Sequence, residues 1–134
     1  MKHFILTLAM LISLAVIMPS SAYAGKKRDA RVAYVLKNLR LKADVQEKFR
    51  PLLDAYLKEL GDLKDPYQEL KDELQDAIDG NKLTAAQCDM LFEAKQKQEE
   101  KEPAVNRKWY AKFKTVLTTQ QAYKAIKLSD DKLE

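Results

Sequence analysis

The chain has 134 residues, of which 46% are hydrophobic, 33% charged and 8% aromatic, and its formal net charge is +4. That leaves room for one small domain, and charge this frequent excludes an ordinary deep-cored enzyme fold. With three glycines, four prolines and no run alternating apolar and polar around β-branched residues, strands have no support and an all-α fold is expected.

Residues 1–24 read as a signal peptide cleaved after Ala24. Lys2 and His3 make a short positive start, Phe4 to Met18 is an almost unbroken apolar run, and Ala22-Tyr23-Ala24 is a small-x-small cleavage site. The run is too short to span a bilayer and no later segment approaches the length required, so export without stable membrane insertion is expected. No cysteine follows the site, so a lipid anchor is not indicated. A single helical domain over residues 25–134 is the expected product. His3, the only histidine, leaves with the signal, and what remains holds one serine (Ser129), one cysteine (Cys88) and one methionine (Met90). A Ser-His or Cys-His nucleophile cannot be assembled from that set, so no catalytic residues and no enzyme activity are expected. Two soft ligands cannot make a zinc or copper site, and no metal or other cofactor is expected.

Helical periods then run almost end to end. Val32, Val35, Leu36 and Leu39 form a first stripe that Asp29 is placed to start, and Asp44 with Glu47 three residues later reads as a second helix start. Phe49, Leu53, Tyr56, Leu60, Leu63, Tyr67, Leu70, Leu74 and Ala77 alternate spacings of 4 and 3, a heptad seam for lengthwise packing on another helix. Because the seam keeps its phase across Pro66, one continuous arm, kinked there, is expected rather than two helices. Asp79-Gly80-Asn81 should end it, with Gly80 taking the left-handed closing conformation. A second arm spans about 85–116, apolar at its two ends and wholly polar from Lys95 to Glu102. Folding back at Gly80 opposes residues whose numbers total about 162, giving a bowed hairpin of arms roughly 45 Å long. A short last helix, 120–128, should pack with the first on the basal end.

Residues 25–50 carry nine basic and three acidic groups, 51–102 seven and fourteen, and 103–134 seven and three. The base is therefore basic and the tip half acidic, which suits an antiparallel homodimer laying each tip on the partner's base; a solvated charged surface is the competing reading. Phe49, Tyr56, Trp109 and Phe113 fit the seam and are assigned to the core. Arg50, Arg107, Lys108, Tyr110, Lys112 and Lys114 are the candidate client or partner surface. Cys88, one turn into the second arm, is expected buried beside Leu74 or Ile78. Basic clusters without a groove-reading motif give no expectation of nucleic-acid binding.

Leu83-Thr84-Ala85-Ala86-Gln87 and Leu117-Thr118-Thr119-Gln120-Gln121 share the pattern Leu-Thr-x-x-Gln. In each the threonine caps free backbone N–H groups, the glutamine reaches back, and Leu83 or Leu117 is placed to staple the first turn. Two such motifs about thirty residues apart, each at a helix start and behind a signal peptide, resemble the Spy/CpxP, or LTxxQ-motif, family of periplasmic proteins. Leu39-Arg40-Leu41-Lys42-Ala43-Asp44, followed by Phe49, Pro51 and Tyr56, looks like the first motif region of Bacteroidetes-type members, although Lys42 stands where threonine is expected and Gln46 falls one position late. The resemblance implies an all-α, cradle-shaped antiparallel homodimer in the periplasm. It also implies an ATP-independent, chaperone-like protein that binds partly unfolded envelope proteins under stress. The alternatives are a signalling adaptor that docks on and represses a membrane sensor, and a purely structural helical module.

Overall fold

Helical periodicity is realised along nearly the whole of residues 25–131, which a computed structural model describes. The expected signal segment lies outside the described residues. Five helices follow in order: α1 (25–39), α2 (Ala43–Glu73), α3 (Gln75–Asp79), α4 (Ala85–Phe113) and α5 (Thr119–Asp130). No strand occurs among the described residues, so the fold is all-α. None of these helices is long and apolar enough to cross a membrane.

The two long helices, α2 and α4, pair antiparallel. Their register follows from the position of the turn: Phe49 meets Phe113, Tyr56 meets Asn106 and Tyr67 meets Lys95. Pro51 and Pro66 both lie inside α2, and Pro103 lies inside α4. A missing N–H and a ring clash are tolerated there because packing over many turns outweighs one lost hydrogen bond. The arm gives way instead at Leu74 (φ −98°, ψ 9°), after which the single-turn α3 completes it.

The core occupies only the basal end. Val32, Val35, Leu36 and Leu39 of α1 pack with Phe49, Leu53, Tyr56 and Leu60 of α2, Trp109 and Phe113 of α4, and Ala122, Ala125 and Leu128 of α5. Four aromatic rings at its centre meet edge-on or tilted, with centroids 4.9 Å apart for Phe49 and Phe113 and 5.4 Å for Tyr56 and Phe113, the geometry that ring quadrupoles favour. Arg28 reaches Asp54 at 3.1 Å, and Arg31 donates to the Leu128 carbonyl at 3.0 Å. These contacts clamp α1 across α2 and α5. Past Leu60 no third helix among the described residues buries the hairpin, and Leu63, Tyr67, Leu70 and Leu74 are only half-buried.

Several local expectations are corrected. Asp29 lies inside α1, exposed, and does not start it. The N-cap of α2 is Lys42 rather than Asp44, in the same register as Thr84 and Thr118, and no side chain caps it. Asp44 sits within the first turn, where a carboxylate still complements the helix dipole. Gly80 keeps a negative φ of −86° while Asn81 takes the left-handed conformation at φ 53°; asparagine tolerates that region better than other side chains. Cys88 is exposed rather than buried, because α4 begins there without a third helix over it. Since a lysine at an N-cap leaves an amide unsatisfied, Lys42→Thr is expected to stabilise the protein by about 0.5–1 kcal/mol, read as a higher denaturation midpoint at unchanged slope.

Candidate functional site

Both capping boxes are formed. Thr84 Oγ1 accepts from the Gln87 N–H at 3.1 Å while Gln87 Oε1 accepts from the Thr84 N–H at 3.0 Å, and Thr118 with Gln121 repeats the same two distances. Their surroundings differ. Leu117 is buried and lies before the buried Ala122, whereas Leu83 is half-buried and Cys88, at the equivalent place, is exposed. One motif therefore anchors the basal core and the other starts a helix at an open tip.

The six candidate surface residues do not make one patch. Lys108 and Lys112 turn toward α2: Lys108 Nζ donates to both carboxylate oxygens of Glu59 at 2.6 and 2.8 Å, and Lys112 Nζ lies 4.4 Å from the centroid of Trp109. Trp109 Nε1 donates to the same Glu59 at 2.9 Å. Arg107 and Tyr110 instead line a shallow groove with Tyr123 and Ile126 of α5, and Lys114 Nζ lies over the Tyr110 ring at 4.7 Å. Tyr110 is half-buried in that position rather than freely exposed. Arg50 is apart from all of these, in a depression with Asp29, Val32 and Asp54 between α1 and α2.

The Glu59 carboxyl is held below the usual range, first by the Lys108 hydrogen bond and then by that from Trp109. A depressed folded-state value means that the contribution is present at neutral pH and is lost as pH falls through it. Acidification through this depressed value, below the ordinary glutamate range, is therefore expected to release the clasp, and Trp109, the single tryptophan, reports it by a fluorescence shift that Glu59→Gln removes. The Tyr56 phenol is displaced in the other sense: burial first, then Asp130 and Glu102, push it above its ordinary value, and its hydroxyl donates to Asn106 Oδ1 at 2.7 Å.

Another uncovered apolar feature lies farther out. Between the distal halves of α2 and α4 runs a groove walled by Leu63, Pro66 and Leu70 on one side and by Met90 and Ala94 on the other. Met90 is 53% exposed. Glu93, Lys97 and Lys101 stand along the α4 rim, and none of the three has an ion pair among the described residues. At the inner end Gln98 is 7% exposed; its Nε2 donates to Glu102 at 2.9 Å while its Oε1 accepts no hydrogen bond. Sequence reading placed Leu63 and Leu70 in the seam and Met90 and Ala94 in the second arm's apolar end, but not as an open groove. Gln98 fell in a stretch read as uniformly polar. The available signal was the mismatch between four regular heptads in α2 and an apolar pattern in α4 that stops after Ala94.

The arrangement holds no converging nucleophile and base, and no three His, Cys, Asp or Glu side chains converge as a metal cluster among the described residues. It offers an apolar trough with charged rims and a flexible thioether, a surface suited to loose, adjustable binding. Comparison with known proteins finds no matching family model, no matching curated protein and no matching solved structure.

Proposed function

We propose that this chain is a periplasmic, ATP-independent chaperone-like protein that holds partly unfolded envelope proteins in the distal groove. The observation that carries the reading is the open apolar trough between α2 and α4, rimmed by cations and an acid without ion-pair partners. Apolar contact there captures exposed side chains of many sequences, and the charged rims keep the client hydrated and releasable. Resemblance of the two Leu-Thr-x-x-Gln motifs to the Spy/CpxP family supports the same reading, as does the expected signal peptide.

Light scattering of two unrelated unfolding proteins, with and without the purified protein, in buffer lacking ATP and at several salt concentrations, tests it. Suppression of aggregation of both at near-stoichiometric amounts is expected. Suppression of neither would overturn the proposal and move the weight to the adaptor reading, in which the protein binds one membrane sensor with a strong salt dependence.

A further inference from the structure

The shallow groove between α4 and α5 has a volume of about 360 Å³ and is lined by Asn106, Arg107, Tyr110, Tyr123 and Ile126. At 3.6 residues per turn, Arg107 and Tyr110 stand roughly 140° round α4 from the Met90–Lys101 wall of the distal groove, so the two grooves open on different faces of the hairpin. Tyr123 is 58% exposed beside a half-buried Tyr110 and Ile126. Tyrosine and arginine around an aliphatic floor are the residue types in which binding energy concentrates.

Three cations stand around this floor without an acid. Arg107, Lys114 and Lys127 are exposed and form no ion pair among the described residues. Lys114 Nζ lies 4.7 Å from the centroid of Tyr110 and Lys127 Nζ 5.8 Å from that of Tyr123. A ring face on the protein surface is a weak partner for an ammonium compared with a carboxylate. The nearby acids are already engaged: Glu102 by Gln98, Asp130 by Lys64 and Asp131 by Tyr34. The groove therefore combines an apolar floor with unneutralised positive charge.

We infer that this groove binds an extended acidic segment of another protein, with one large apolar side chain anchored among Tyr110, Tyr123 and Ile126. Along α4 the floor runs a single turn, from Asn106 to Tyr110. It takes one anchor, and not the i, i+3, i+4, i+7 series that a docked helix presents. Arg107 and Lys114 are seven residues apart, hence about 10 Å along the helix, which is the span of about three residues of extended chain. The recognised pattern is thus two acids about three residues apart with the apolar anchor between them, and Lys127 adds a cation on the α5 rim. Binding exchanges ring contacts of the lysines for charge-assisted hydrogen bonds and covers Tyr123. None of this depends on the distal groove, and the two proposals stand or fall separately.

Fluorescence anisotropy of the labelled peptide Gly-Ser-Asp-Glu-Phe-Ser-Glu-Asp-Gly-Ser, titrated with the purified protein, tests the site. Saturable binding in the micromolar range that weakens with salt is expected. Replacing the peptide's phenylalanine by serine, or its four acids by lysine, should weaken it by about tenfold or more. On the protein, Arg107→Glu and Tyr123→Ser should each do the same. Circular dichroism should be unchanged in both, because these side chains are exposed. Met90→Asp should leave peptide binding as it was. Absence of saturable binding would overturn the inference, as would equal binding of either substituted peptide or indifference to Arg107→Glu or Tyr123→Ser. Loss of binding in Met90→Asp would overturn it too, by placing the peptide in the distal groove.

Discussion

Phe113→Ala is expected to cost about 3–5 kcal/mol, enough to unfold most of a domain whose total stability is of order 5–10 kcal/mol. Phe113 is fully buried and meets both Phe49 and Tyr56 edge-on. It stands at the end of α4, against α2 and beside the Leu117–Thr118 start of α5. Truncating it opens a cavity at the one place where the helices share a core, and no distal core exists to compensate. Loss of cooperative melting, or a fall of the denaturation midpoint by more than half, is the expected readout. A cost below about 1 kcal/mol would mean that the basal cluster does not carry the fold. Met90→Ala, removing a side chain that is mostly in water, should by contrast stay within about 0.5 kcal/mol of the parent.

Met90→Asp is expected to remove most aggregation suppression while leaving helix content and melting unchanged. A carboxylate at the centre of the trough must be desolvated by any apolar client segment, a penalty of several kcal/mol that loose binding cannot offset. It also places a negative charge one turn from Glu93 and next to Ala94, where the client's apolar side chains are proposed to lie. The folded protein should tolerate the change because the side chain is already half in solvent. Suppression equal to that of the parent, at the same stoichiometry and salt, would rule out this groove as the client site.

Helix identity, the location of the turn and the two capping boxes were legible in the residues because each depends on interactions within four positions along the chain. The pairing of Phe49 with Phe113 and of Tyr67 with Lys95 was legible for a related reason: once the turn is placed near Gly80, antiparallel arms of constant rise have a single register. The four core aromatics followed from the same arithmetic. Helix starts with a weak local signal were less legible. Asp44 has the better capping side chain, yet the chain reversal after Arg40, in the left-handed region at φ 52°, lets α2 begin at Lys42. Asn81, not Gly80, closes the distal turn for a comparable reason.

What the sequence by itself determined was the set of helices, their apolar faces and the antiparallel hairpin, since periodicity and capping are local properties of the backbone. Only the tertiary structure decided which stretch of those faces would be covered. The α2 heptads look alike from Phe49 to Leu74, but α1 and α5 bury the seam only as far as Leu60, so identical seam positions become core at the base and an open groove toward the tip. The same limit leaves Cys88 and Met90 in solvent and sends Lys108 and Lys112 to Glu59 and Trp109, while Arg107 finds no ion pair among the described residues. Burial is set by which neighbours arrive, and those neighbours come from both ends of the chain, beyond the reach of any local pattern.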